Sequence, residues 1–175
     1  MSASSFQSSM PSTIIDGMIY LGSFAHARNK SCFEQLNIGC VVNCARELNN
    51  HFENQVISEQ IGPVRYYHLE LNDDTLFDIF SHFDLAFEFV NKFLESQQET
   101  KASVLFHCAS GCSRSASITI AFLMKKNHWD FKTAYQYVKE KRSKIQPNEG
   151  FVECENKPFP NLDHPSIDIS QYHKL

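Results

Sequence analysis

The stretch Val104-Leu105-Phe106-His107-Cys108-Ala109-Ser110-Gly111-Cys112-Ser113-Arg114-Ser115 constrains this chain more than any other. A β-favouring apolar run ends in a cysteine and a loop of small residues follows. Ile118, Ile120, Ala121, Phe122 and Met124 then suit a buried helix. Strand, loop and helix N-terminus therefore succeed one another. The first amides of a helix lack intrahelical partners and its dipole adds partial positive charge, so the loop is a seat for an anion. Cys108 stands in that field, which favours thiolate over thiol. Arg114 brings a full charge and a planar fork that can hold two oxygens of a phosphoryl group, leaving the phosphorus over the sulfur. Gly111 lets the backbone turn inward, and Ser115 can offer its hydroxyl to the sulfur. Together these residue types suit nucleophilic phosphoryl transfer.

His-Cys-x-x-Gly-x-x-Arg-Ser in this context resembles the signature of the cysteine-dependent protein tyrosine phosphatase superfamily, specifically its small, atypical dual-specificity members. A chance match at His107, Cys108, Gly111 and Arg114 is expected on the order of once per thousand chains of this length. Many members carry Ala where this chain has Ser110, a change the loop tolerates because it works through backbone amides. The resemblance implies Cys108 as nucleophile, Arg114 as phosphate clamp, Ala109, Ser110, Gly111, Cys112 and Ser113 as the phosphate-binding loop, and His107 in support. It also implies a general acid on the loop before the long helix, which falls on Asp73. The interval from Asp73 to Cys108 is slightly long for the family, and Asp74 is the alternative. Pro147-Asn148-Glu149-Gly150-Phe151 resembles the family's Pro-Asn-x-Gly-Phe segment, with Asn148 expected to brace the phosphate loop or simply to cap a helix. No cofactor is implied.

Asp16-Gly17 between two apolar runs signals a hairpin over Ile14 to Gly22. Ser23 is expected to cap one helix reaching Leu36 and stopped by Gly39, before a buried strand at Cys40 to Ala45. Arg46 to Gly62 reads as a long surface loop at the edge of the cleft, and Val64 to Leu71 as a strand. Ile79, Phe83, Ala86, Phe87, Val90, Phe93 and Leu94 recur at helical spacing, predicting an amphipathic helix from Asp78 to about Gln97. Asp130 is expected to cap a further helix. His68 is read as a strand residue without a role. The alternation implies an α/β fold with a central mixed, mainly parallel sheet flanked by helices. One catalytic domain is expected over 13–157, between a flexible Ser-rich tail at 1–12 and an extended tail at 158–175.

The chain has 175 residues, 42% of them hydrophobic, which suits one well-buried core. A formal charge of −4 and no block of Lys and Arg argue against a nucleic-acid or membrane partner, leaving a phosphorylated protein as the expected one. Six scattered cysteines and the lack of a signal segment point to the cytoplasm or nucleus. No CxxC pair carries histidines at metal spacing, so no metal is expected. Nothing in the sequence specifies an oligomeric state. The expected activity is dephosphorylation of phosphotyrosine and phosphoserine or phosphothreonine in proteins through a phosphocysteine. Two alternatives stand beside it: a phosphatase-like module that binds without turnover, and a phosphatase of phosphoinositides, phosphoglycans or RNA 5′ ends. The neutral loop residues Ala109, Ser110, Cys112 and Ser113 weigh against the last, whose substrates carry extra charge.

Overall fold

A computed structural model describes residues 10–59, 62–97 and 100–155, without the side chains of 80 and 153–155. The hairpin expected at Asp16-Gly17 joins β1 (Ser12–Ile15) to β2 (Ile19–Ser23), which pair antiparallel. β3 (Ile38–Asn43), β6 (Arg65–His68) and β7 (Ser103–Cys108) complete a five-stranded sheet in the order β1-β2-β7-β3-β6. Every pairing after the hairpin is parallel, so the sheet is mixed and mainly parallel, as expected. β3 and β7 are buried along their whole length because helices cover both faces.

One face carries α3 (Phe80–Ser96), α4 (Arg114–Asn127) and α5 (Phe131–Lys141), with α6 (Glu149–Glu155) closing the domain. Phe83, Phe87, Val90 and Phe93 form the buried stripe of α3, and Phe122 of α4 meets both Phe87 (ring centroids 5.4 Å apart) and Phe106 of β7 (5.8 Å). Fully burying a side chain such as Phe106 contributes about 1.5–3 kcal/mol. The Asp130 carboxylate accepts the Thr133 amide at 2.8 Å, the expected cap of α5. On the other face Phe33, Val41, Phe52, Val64 and Leu105 form a second cluster.

Two expectations of local structure are corrected. The helix read from Ser23 to Leu36 is two helices, α1 (Phe24–Ala27) and α2 (Lys30–Leu36). Asn29 is the cause: its backbone is extended and its side chain accepts the Ser31 amide at 3.0 Å, which restarts the helix. Asn37, at φ 54°, ends α2 in the left-handed region, while Gly39 already lies in β3. The segment read as plain loop contains a two-stranded antiparallel ribbon, β4 (Val56–Ser58) and β5 (Gly62–Pro63). Phe52, edge-on to Phe33 at 4.8 Å, pins it to the second cluster. His68 Nε2 donates to the Ala45 carbonyl oxygen at 2.9 Å. The Ser-rich start through residue 9 and the tail at 158–175 lie outside the described residues; Ser12 opens β1. Within the described residues, no helix is long and apolar enough to cross a membrane.

Candidate active site

β7 delivers Cys108 to the carboxyl edge of the sheet and α4 begins six residues later at Arg114. The loop between them curls over the sulfur: the Gly111 amide and the Ser115 hydroxyl each donate to Cys108 Sγ at 3.2 Å. Gly111 sits at φ 72°, and a Cβ there would come within 2.3 Å of the Gly22 carbonyl oxygen, so only glycine fits. The loop carbonyls point outward. Ala109 O accepts from Phe24 N, Cys112 O from Gln146 N and Ser113 O from Ser117 N, while Ser110 O and Gly111 O accept from Arg142. With the carbonyls turned out, the amides turn in. Among the described residues no acceptor meets the amides of Ala109, Ser110, Cys112 or Ser113.

His107 is buried against Phe24, with ring centroids 6.3 Å apart, and its carbonyl accepts the Cys44 amide at 2.8 Å, locking the end of β7 to β3. Burial pushes its imidazole down to about 4, so it is neutral at physiological pH. Among the described residues no three His, Cys, Asp or Glu side chains gather as around a metal ion.

Arg114 is buried, and its outer edge is already taken. Nη1 and Nη2 donate to the two carboxylate oxygens of Glu47 at 2.7 and 2.8 Å, and Nη1 also donates to the Leu71 carbonyl at 3.2 Å. The guanidinium's hydrogen bonds hold the Glu47 carboxyl below its ordinary range. Nε is buried with no hydrogen-bond acceptor, so the Nε–Nη2 edge keeps donors for two further oxygens. Sequence reasoning missed Glu47 altogether. It follows a buried strand in a polar loop and nothing local distinguishes it from a solvated carboxylate.

The two candidate acids separate. Asp73 Oδ1 accepts from Ser113 Oγ at 2.7 Å and from Asn148 Nδ2 at 2.9 Å, and Oδ2 lies 3.7 Å from Arg114 Nε. Asp74 turns away: its side chain accepts the Leu76 amide and its carbonyl the Phe77 amide, an exposed turn. Asn148 sits between Asp73, Ser113 and the start of α6. Its Nδ2 reaches Asp73, its amide donates to Ser113 Oγ at 3.3 Å, and its Oδ1 caps α6 by accepting the Phe151 amide. Gly150 lets this corner close, since a Cβ there would fall 2.0 Å from the Thr75 carbonyl oxygen.

A cysteine sulfur at a helix N-terminus, inward amides, an open arginine edge and a carboxylate beside it form a cradle with donors for an anion. Residues 19–154 match the family model of the dual specificity phosphatase catalytic domain. Human protein phosphatase Slingshot homolog 1 is 35% identical over 146 residues, which is 83% of this chain and 13% of that protein. Human dual specificity protein phosphatase 1 is 34% identical over 134 residues, 77% of this chain and 33% of that protein. The chain thus spans a minor part of the length of either relative. Among solved structures, the human tyrosine phosphatase-like serine/threonine/tyrosine-interacting protein matches with a TM-score of 0.70 at 25% identity, covering 84% of this chain and 93% of that one. Human DUSP28 shares the fold, with a TM-score of 0.67 at 22% identity over 81% and 90% of the two chains. The chain belongs to the dual-specificity phosphatases of the protein tyrosine phosphatase superfamily.

Proposed function

We propose that the chain hydrolyses phosphotyrosine and phosphoserine or phosphothreonine in proteins through a phosphocysteine. Cys108 Sγ attacks phosphorus, and the S–P bond forms as the ester P–O bond breaks. Asp73 gives its proton to the departing oxygen. Water then attacks the phosphocysteine, Asp73 takes up the water's proton, and the S–P bond breaks to release phosphate. The Nε–Nη2 edge of Arg114 and the amides from Ala109 to Arg114 hold the phosphoryl oxygens, and the Ser115 hydroxyl steadies the sulfur as it leaves. The observation that carries this reading is the convergence on one sulfur of the Gly111 amide and Ser115 hydroxyl, with the Asp73 carboxylate beside the open edge of Arg114.

Asp73 rather than Asp74 is assigned the acid, because Asp74 spends its side chain on a turn. The exposed loop positions Ala109 and Ser110 carry no charge, which supports a phosphoprotein over a polyphosphorylated lipid or glycan. Among the described residues Cys40, Cys44, Cys108 and Cys112 form no disulfide, which fits a reducing cytoplasm or nucleus.

The test is a panel of phosphotyrosine and phosphothreonine peptides and a phosphoinositide, with wild type, Asp73→Asn and Asp74→Asn. Turnover of the peptides is expected, with Asp73→Asn slowing the phosphothreonine peptide by roughly 10²-fold and Asp74→Asn doing far less. Preference for the lipid would overturn the substrate class, and a larger loss in Asp74→Asn would move the acid by one residue. A phosphatase-like interacting protein is among the structural relatives, and the corresponding reading, recognition without turnover, predicts tight peptide binding and no phosphate release.

A further inference from the structure

Arg142, at the end of α5, is a buried cation that no carboxylate meets among the described residues. Its three nitrogens all donate: Nε to Gly111 O at 2.7 Å, Nη2 to Ser110 O at 3.1 Å, and Nη1 to Ser12 Oγ at 3.1 Å. In a trans peptide the carbonyl of one residue and the amide of the next point in opposite directions. The fork on Ser110 O therefore aims the Gly111 amide at Cys108 Sγ, where it is found at 3.2 Å. The fork on Gly111 O likewise aims the Cys112 amide into the seat. Arg142 is the side chain that fixes two successive peptide planes of the loop. The other outward carbonyls are held by backbone amides.

Electrostatics agree with the geometry. Burial lowers the Arg142 guanidinium from its ordinary range, and negative charge on the sulfurs of Cys112 and Cys108 pushes the other way. A buried guanidinium without a carboxylate partner takes its counter-charge from whatever anion occupies the loop. The anion of the seat and Arg142 are then partners across the loop backbone.

We propose that Arg142 is a positioning residue for the phosphate seat: its fork orients the Gly111 and Cys112 amides, and its charge is balanced by the thiolate or phosphate on the far side. This rests on the reading of the seat given above, so the test avoids turnover. Alkylation of Cys108 by iodoacetamide at pH 7, with and without inorganic phosphate, is measured by mass spectrometry on wild type, Arg142→Lys and Arg142→Met, alongside thermal melting. Arg142→Met is expected to slow alkylation about tenfold through loss of the neighbouring charge. It should also weaken phosphate protection by tenfold or more. Arg142→Lys restores the charge and the alkylation rate to within about twofold, yet leaves phosphate protection weak because an ammonium does not hold both carbonyls in one plane. Variants that melt lower but keep wild-type alkylation and protection would reduce Arg142 to a scaffold residue. If Arg142→Met fails to fold, Arg142→Lys decides: unchanged protection overturns the proposal. Because these readouts need no catalysis, a wild type that protects Cys108 with phosphate but releases none would refute the phosphatase reading and leave this one standing.

Discussion

Arg114 spends the ends of its guanidinium on Glu47, 67 positions away in sequence, and leaves its Nε edge open. That division of donors is what a clamp needs, because a fork fixed on one edge presents the other without paying again in side-chain freedom. Glu47→Gln keeps the shape and removes the charge. Steady-state kinetics should then show KM raised roughly tenfold with kcat changed less, the size of one weakened charge-assisted hydrogen bond. An unaltered KM would mean that Arg114 is positioned by its burial alone. The sequence exposes none of this pairing. Hydrophobic period and motif spacing locate Cys108, Arg114 and Ser115, which are local to one strand-loop-helix, but not partners brought in by the sheet. Arg142, 31 positions from Gly111, was hidden for the same reason and reads as one more cation on the helix-end run Lys139 to Lys144.

Elements formed where a local signal was unopposed. The hairpin at Asp16-Gly17, the stripe of α3 and the cap at Asp130 needed only neighbours in sequence, and all three are present. The single helix from Ser23 failed because its loose apolar face left Asn29 free to cap a second helix, a choice that packing rather than period decides. The proposed choice of acid rests on this scale: the turn made by Asp74 leaves Asp73 to the corner between α4 and α6. Gly150 tests that corner. In an exposed helix Ala would be favoured over Gly by about 1 kcal/mol, but here the new Cβ meets the Thr75 carbonyl at 2.0 Å. Gly150→Ala should therefore displace the acid loop, slowing an alkyl phosphopeptide about tenfold while changing an aryl phosphate about twofold, since only the poor leaving group depends on the acid. Equal losses on both substrates would show that the close contact does not reach Asp73.

At the scale of the whole molecule the α/β class was legible because strands alternate with helices and a loop of small residues joins the end of an apolar strand to a helix, which fits few arrangements other than a parallel sheet. The strand order was not, since it depends on which buried strands meet. β3 settling between β7 and β6 brings His107 into the interior, and its burial couples stability to pH. An imidazole at about 4 in the folded chain and 6.5 unfolded leaves the unfolded state binding more protons between those values. Stability is then full above about pH 6.5 and is lost as pH falls toward 4, by about 3 kcal/mol from this group. Urea titrations at pH 7 and pH 4.5 should show the loss, and His107→Gln should flatten it; an equally steep dependence in the variant would assign it to other groups. Phosphoryl transfer to the Cys108 sulfur is the step on which the proposed chemistry depends. The most direct measurement is rapid acid quench of the protein with a 32P-labelled aryl phosphate, followed by mapping of the label. Wild type is expected to carry a transient label on Cys108, and Cys108→Ser neither label nor turnover above about 10⁻³ of wild type. Hydrolysis by Cys108→Ser at the wild-type rate would contradict it.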